Sequence, residues 1–122
     1  MKHEEDRLQA NCVKTFRMEF KDIIIAAIPN GGYRSEFEGK ILKATGVLAG
    51  MPDLLICSPR KGYGGLFIEL KSPTGSLSKT QKVVMPQLEA SGYKVAICRT
   101  IDEFMAVCRE YLSERHPYVG GR

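Results

Sequence analysis

Two carboxylates and one ammonium, those of Asp53, Glu69 and Lys71, are the side chains of this sequence best suited to chemistry. Asp53 lies at the start of one short apolar run, and Glu69 and Lys71 end the next. Both runs are bounded by Pro or Gly, which is typical of short strands. An antiparallel hairpin centred on Lys61 places Asp53 opposite Glu69, with Cβ atoms roughly 4.5–5.5 Å apart. Lys71, two residues along, points to the same face of the sheet.

Carboxylates that converge among apolar neighbours require compensation. A buried carboxylate must be hydrogen-bonded, paired or bound to a metal, and two adjacent carboxylates repel each other. A divalent cation meets both requirements, and oxygen ligands favour a hard ion such as Mg²⁺ or Mn²⁺. A simpler interpretation stays open on the hairpin alone. In it, Glu69 and Lys71 are ordinary charges at a strand end, and Asp53 caps the turn after Pro52.

The order Pro52-Asp53 and then Glu69-Leu70-Lys71 resembles the PD-(D/E)XK motif of a metal-dependent nuclease superfamily. That motif is short, but further matching segments accompany it in order along the chain. The segments are Ile28-Pro29-Asn30-Gly31-Gly32 with Arg34, Leu42-Lys43-Ala44-Thr45-Gly46, Gly50-Met51-Pro52-Asp53-Leu54, Gly65-Leu66-Phe67-Ile68-Glu69-Leu70-Lys71, Gly75-Ser76-Leu77-Ser78 with Gln81-Lys82, and Gly92-Tyr93. Over about residues 4–104 they resemble the VRR-NUC (virus-type replication-repair nuclease) family, in its short form from bacteriophages and bacteria.

The resemblance implies roles for the motif residues. Asp53 and Glu69 are expected to be metal ligands, joined by the backbone carbonyl of Leu70. Lys71 is expected to position or deprotonate the attacking water and to stabilise the charged phosphate. We favour the electrostatic role, because neighbouring carboxylates keep a lysine charged unless burial prevails.

Two further site residues are implied with open alternatives. Nucleases of this kind often add an acidic ligand from the first helix, and Glu5 is better placed on its inner face than Glu4. Alternatively, both glutamates merely complement the helix dipole. Gln81 matches a glutamine expected near the active site, yet it is also the third helical residue of a capping box that begins at Ser78.

Basic residues flank the predicted site in loops or at helix starts. The candidate phosphate contacts are Arg34, Lys40, Lys43, Lys79 and Lys82. Taken one at a time, each of them is better explained as a solvated surface charge than as a contact.

The overall composition bounds the class of protein. A chain of 122 residues predicts a single domain over residues 1–122, with a core of about 4–113 and a tail of 114–122. The net charge of +4 is compatible with DNA but does not require it. The four cysteines lack CxxC spacing and predict buried free thiols in a reducing compartment. No apolar run is long enough to span a membrane, and the polar N-terminus is unlike a secretory signal. We therefore expect a cytoplasmic protein of a bacterium or a phage-infected cell, with no membrane partner.

Hydrophobic patterning and capping signals predict the elements. Helices are expected at about 4–21, 36–44, 78–91 and 100–113, and strands at about 23–28, 50–57, 66–71 and 94–98. This order is α/β and agrees with what the resemblance implies, a restriction-endonuclease-like αβββαβ core with a mixed β-sheet flanked by helices.

We therefore expect a Mg²⁺- or Mn²⁺-dependent DNA endonuclease. The short VRR-NUC proteins are similar to Holliday-junction resolvases, which favours a homodimer acting on branched DNA. A two-fold dimer presents two sites to a nearly two-fold junction. Two alternatives stay open: a non-catalytic DNA-binding module of the same fold, and a nuclease that prefers nicked, flapped or single-stranded DNA.

Overall fold

The structure is a computed structural model that describes residues 2–29 and 36–118, with side chains for residues 4–29 and 38–118. Its elements are α1 (Lys2–Glu19), β1 (Ile25–Ala27), α2 (Glu36–Ala44), β2 (Leu54–Ile56), β3 (Leu66–Leu70), α3 (Lys79–Ala90), β4 (Lys94–Cys98) and α4 (Ile101–Tyr111). The strands form one sheet in the order β1-β2-β3-β4. Its first two pairings are antiparallel and the last is parallel. The predicted mixed α/β sheet is thus confirmed. Within the described residues, no helix is long and apolar enough to cross a membrane.

The hairpin of β2 and β3 has the predicted register. Leu54 lies opposite Ile68, so the next positions outward are Asp53 and Glu69. The spacing of two apolar runs was sufficient to fix this pairing, because a slip of one residue would turn every apolar side chain to the other face.

The turn of that hairpin differs slightly from the expectation. Lys61 and Gly62 have φ of 53° and 84°, and positive φ at both central positions is the signature of a type I′ turn. Arg60 and Tyr63 close it by exchanging backbone hydrogen bonds of 3.2 and 2.8 Å. The turn is therefore centred between Lys61 and Gly62. One more residue separates the turn from β2 than from β3, and the ladder keeps its register.

The main core lies between one face of the sheet and the helices α1 and α4. The buried residues in it are Cys12, Phe16, Ile25, Leu54, Ile56, Leu66, Ile68, Leu70, Cys98, Phe104, Met105, Cys108 and Tyr111. The apolar stripe predicted on the first helix supplies Cys12 and Phe16, and Leu8, Val13 and Phe20 pack against the cluster. The stripe is confirmed, although α1 begins and ends two residues earlier than predicted.

The first strand is shorter and more exposed than predicted. The β-branched run predicted a buried strand over residues 23–28, whereas β1 has three residues and only Ile25 is buried. Ala26 and Ala27 are exposed. Because β1 is an edge strand, only one of its faces is covered, and apolar composition alone does not distinguish an edge strand from a central one.

The prediction of buried thiols is correct for three cysteines and wrong for one. Cys12, Cys98 and Cys108 are buried, whereas Cys57 is exposed. Cys57 directly follows the buried Ile56 of β2, and successive strand residues point to opposite faces of the sheet. Burial raises the pKa of the Cys12 thiol to about 12 and that of Cys98 to about 11, so these thiols are poor nucleophiles.

The hairpin is fixed to the last helix and the chain beyond it. Arg60 is 1% exposed, and its Nε donates a 2.9 Å hydrogen bond to the carbonyl of Glu114. The hydroxyl of Tyr111 donates one of 2.7 Å to the carbonyl of Ser58. The start of the predicted tail is thus anchored, and residues 119–122 lie outside the described residues.

Candidate active site

Asp53 and Glu69 meet where the hairpin ladder ends. Asp53 directly precedes β2, and its Oδ2 accepts a 2.7 Å hydrogen bond from the backbone N–H of Leu70. The backbone N–H of Ile28 donates a 2.8 Å hydrogen bond to the Asp53 carbonyl. The bond from Ile28 continues the pairing of β1 and β2 by one residue, and the bond from Leu70 joins the Asp53 side chain to β3. They hold the Asp53 carboxylate beside the strand that carries Glu69.

Glu69 is the buried centre of the group. Only 2% of the residue is exposed. Its Oε2 accepts a 2.7 Å hydrogen bond from Nε2 of Gln81 and lies 3.2 Å from Nζ of Lys71. Its Oε1 is buried and has no hydrogen-bond partner among the described residues. Native proteins rarely leave such an oxygen unsatisfied, and an ion is one established explanation.

The proximity of the two carboxylates affects their pKa values. Burial, and then the charge of Asp53, raise the pKa of Glu69 to about 7, while Lys71 and Gln81 oppose the shift. Burial also raises the pKa of Asp53, against the effect of the hydrogen bond from the Leu70 N–H. Burial and mutual repulsion therefore both disfavour two charged carboxylates here, and an added cation would offset both effects.

Gln81 serves the helix and the site at once. The Ser78 N–H donates a 2.9 Å hydrogen bond to Oε1 of Gln81, and the Gln81 N–H donates one of 3.2 Å to Oγ of Ser78. This is the predicted capping box at the start of α3. The other end of the same amide donates to Glu69, so the two interpretations of Gln81 are compatible.

The model of the VRR-NUC domain matches residues 2–101, most of the chain and all of the residues described in this site. The chain belongs to the VRR-NUC domain family. This family is generally a nuclease family, so the fold is of nuclease type and implies a DNA partner.

The solved structures of similar fold include two VRR-NUC domains. A VRR_NUC domain protein is 26% identical over 89% of this chain and 88% of its own, with a TM-score of 0.73. A VRR_NUC domain is 18% identical over 88% of this chain and 96% of its own, with a TM-score of 0.59, and shows the fold alone. A comparison with curated protein sequences finds no match.

A glycine that sequence reasoning did not single out for a role sets the position of α3 in this VRR-NUC domain. Gly50 has φ of 95°, and a Cβ atom there would lie 2.6 Å from the carbonyl oxygen of Thr80. The chain before Asp53 therefore passes in direct backbone contact with the first turn of α3, which brings Gln81 towards the carboxylates. Its position three residues before the motif aspartate was the available signal.

Arg99 also went unrecognised in the sequence. Its Nη1 donates hydrogen bonds of 2.7 Å to the carbonyls of Ser72 and Gly75. These carbonyls belong to the loop that joins Lys71 to the helix bearing Gln81. A lone arginine after a strand gives no sign in the sequence that it will bind backbone carbonyls 24–27 residues away.

The first helix places Glu5 where its charge acts on Asp53. Glu5 is half-buried and Glu4 is exposed. The charge of Glu5 contributes to the raised pKa of Asp53, and both glutamates line a cleft with Ser72 and Arg99. Across residues 2–29 and 36–118, no three His, Cys, Asp or Glu side chains are grouped closely enough to hold an ion by themselves.

The residues predicted to contact phosphate lie in different parts of the structure. Lys82 lines a cleft beside Gln81, and Lys79 is exposed at the first residue of α3. Lys40 and Lys43 are exposed on α2. Arg34 lies outside the described residues. Of these residues, Lys82 shares a cleft with Gln81, whose side-chain amide donates a hydrogen bond to Glu69.

Proposed function

We propose that this VRR-NUC domain is a metal-dependent endonuclease that hydrolyses phosphodiester bonds in DNA. The observation that carries the proposal is the buried Oε1 of Glu69, unpartnered within the described part of the chain and next to a second carboxylate. A purely structural acidic pair would be expected to satisfy its oxygens with protein donors. A binding module of the same fold would gain nothing from keeping two mutually repelling carboxylates.

The donor set suits Mg²⁺ or Mn²⁺. Asp53 and Glu69 supply carboxylate oxygens, and the carbonyl of Leu70 points to the same side of its strand as the N–H that binds Asp53. Glu5 is the proposed additional ligand, directly or through water. Few protein ligands are needed, because Mg²⁺ usually keeps several waters. When bound, such an ion acidifies water and stabilises charge on the phosphate.

Other residues of the chain orient the reacting groups, position the ligands and attract the DNA. Lys71 holds its ammonium 3.2 Å from Glu69, where it orients a water or a phosphate oxygen and offsets negative charge. Gln81 fixes the rotamer of Glu69 through its amide hydrogen bond. Arg99 holds the intervening loop and acts through position alone. Lys79 and Lys82 on α3 attract the DNA backbone, and Lys40, Lys43 and Arg34 are proposed as further phosphate contacts.

A cleavage assay tests this proposal. Wild-type protein is expected to cut plasmid DNA with Mg²⁺ or Mn²⁺ and to leave it whole in EDTA. Glu69→Gln and Asp53→Asn should abolish cutting and retain DNA binding. Asp102→Asn, an exposed carboxylate on α4, is the matched control and should cut normally. A non-catalytic module would leave every strand whole under all conditions.

The finer proposal is that a homodimer cuts branched DNA in the cytoplasm of a bacterium or phage-infected cell. It is supported by symmetry, because two copies give a junction two sites, and by the small size of one domain. A panel of four-way junctions, nicks, flaps and single strands, with sedimentation of the protein, tests it. Equal cutting of all substrates by a monomer would contradict it and leave the nuclease proposal intact.

A further inference from the structure

An apolar cleft lies between α3 and β4, outside the main core. It has a volume of about 430 Å³. Its apolar lining comes from Leu77, Met85 and Pro86 on one side and from Val95 and Ile97 of β4 on the other. Ile97 is 43% exposed, although it belongs to a strand. Such a cleft is of a size that accommodates small ligands.

The cleft is continuous with the carboxylate site. In the parallel pairing of β3 and β4, Ile97 lies opposite Glu69, and opposed residues share a face of the sheet. Gln81 lines the cleft and donates the 2.7 Å hydrogen bond to Glu69. The side chain that positions the proposed metal ligand is therefore also a wall of the cleft, and whatever occupies the cleft lies beside the carboxylate site.

The chemistry of the cleft selects among DNA forms. A paired duplex presents phosphates and groove edges and hides the faces of its bases in the stack, so an apolar cleft offers it nothing. An unpaired base exposes an apolar face that packs well on protein side chains. We propose that the α3–β4 cleft binds an unpaired nucleobase of the DNA substrate, adjacent to the bond that is cut. This inference rests on the proposed nuclease function and specifies its substrate class.

Two charged side chains along the cleft determine how a bound nucleotide is oriented in it. Lys82 and Glu89 both line it and lie roughly 10 Å apart along α3, at about 1.5 Å per residue. Lys82 follows Gln81 and suits the sugar–phosphate backbone at the catalytic end. Glu89 suits the amino groups on the edge of a base, since carboxylates accept hydrogen bonds from them. A phosphate backbone at the Glu89 end would be repelled, so the base points away from the carboxylate site.

The experiment compares DNA substrates that differ only at one nucleotide. The first is fully paired, the second carries one unpaired nucleotide beside the cleavage position, and the third has an abasic residue at that nucleotide. Single-turnover rates with Mn²⁺ are expected to be about tenfold higher for the second than for either other substrate, because only an unpaired base buries its apolar face in the cleft. Equal rates for the second and third substrates would overturn the inference while leaving the nuclease proposal standing.

Two variants locate the effect. Ile97→Gln should remove the preference for the unpaired base, whereas Val83→Gln should keep it, because Val83 is 59% exposed on α3 without lining the cleft. Identical behaviour of the two variants would overturn the inference. So would a change in sedimentation caused by Ile97→Gln alone, since the cleft would then belong to an interface between two copies of the chain.

A binding measurement separates this inference from catalysis. The unpaired nucleotide is replaced with 2-aminopurine, and its fluorescence is followed on binding to Glu69→Gln, which should not cut. The emission should change with this protein and stay constant with the Glu69→Gln, Ile97→Gln double variant. An unchanged signal with both proteins overturns the base site. Absence of cutting by the wild type on every substrate overturns the nuclease proposal instead.

Discussion

The side-chain amide of Gln81 joins Glu69 to the N-terminus of α3. Its Nε2 donates a 2.7 Å hydrogen bond to Oε2 of Glu69, and its Oε1 accepts a 2.9 Å hydrogen bond from the Ser78 N–H. A helix cap and the proposed metal ligand thus depend on one side chain. Loss of that side chain should affect both the stability of the helix and the orientation of the carboxylate.

Substitutions at the two ends of the capping box should separate these effects. Ser78→Ala should cost about 1 kcal/mol of stability and leave cleavage nearly unchanged, because Gln81 keeps its bond to Glu69. Gln81→Ala should cost a similar amount and also lower cleavage at least tenfold. Urea unfolding and plasmid cleavage measure the two quantities. Equal activity of the two variants would show that the contact to Glu69 has no role in the reaction.

The stability of the metal-free protein should depend on Glu69 and pH. Burial and the charge of Asp53 raise the pKa of Glu69 from 4.5 to about 7 in the folded state. The folded state therefore binds the proton more tightly than the unfolded chain does. The contribution of Glu69 to the free energy of unfolding in EDTA should be largest below pH 4.5. It should fall as the pH rises to about 7, by up to roughly 3 kcal/mol.

Denaturant unfolding at pH 5 and pH 7.5 measures this dependence. Glu69→Gln cannot ionise and should flatten the difference between the two pH values. Mn²⁺ at pH 7.5 should restore stability to the wild type and not to the variant. A wild-type protein that is equally stable in EDTA at both pH values, with no response to Glu69→Gln, would contradict the electrostatic account.

Gly50 should be required for the placement of α3. A methyl group there would lie 2.6 Å from the carbonyl oxygen of Thr80, at φ of 95°. Gly92 is a matched control, because it has the same φ of 95° and nothing within 4 Å of an added Cβ. Both alanine variants should lose more than about 1 kcal/mol from backbone strain. Only Gly50→Ala should in addition reduce cleavage, and equal cleavage by the two variants would argue against this role.

Arg99 should act on the loop between Lys71 and α3. Arg99→Lys replaces a planar group that reaches two carbonyls with a single ammonium, so hydrogen–deuterium exchange of residues 72–77 should increase. Cleavage should fall several-fold, with a larger Mn²⁺ requirement. Arg109→Lys, which alters an exposed pair with Glu19, should change neither. Unchanged exchange in Arg99→Lys would refute the positioning role.

The hairpin and the last two helices were predictable because local signals determine them. The spacing of two apolar runs fixes the pairing of Asp53 with Glu69, and capping residues mark the starts of α3 and α4. The bounds of α2 and β4 also match the prediction. In each case the deciding interaction lies within one element or between adjacent ones.

The features that were missed depend on contacts between distant segments. The exposure of β1 follows from its place at the sheet edge, and Cys57 lies on the sheet face opposite the buried Ile56. The close approach of Gly50 to Thr80 and the reach of Arg99 to the Ser72 loop involve backbone atoms, which side-chain patterns do not reveal. The sequence predicted that Asp53, Glu69, Lys71 and Gln81 lie together, as they do in the structure, but it did not reveal the contacts of Gly50 and Arg99.

Manganese binding tests the central proposal most directly. Addition of wild-type protein to Mn²⁺ at pH 7.5 should reduce the electron paramagnetic resonance signal of the free ion, because Asp53 and Glu69 take it up together. Glu69→Gln should leave that signal almost unchanged, while Asp102→Asn should behave as the wild type. If Glu69→Gln depletes the free ion as fully as the wild type does, the two carboxylates do not hold the metal and the account is wrong.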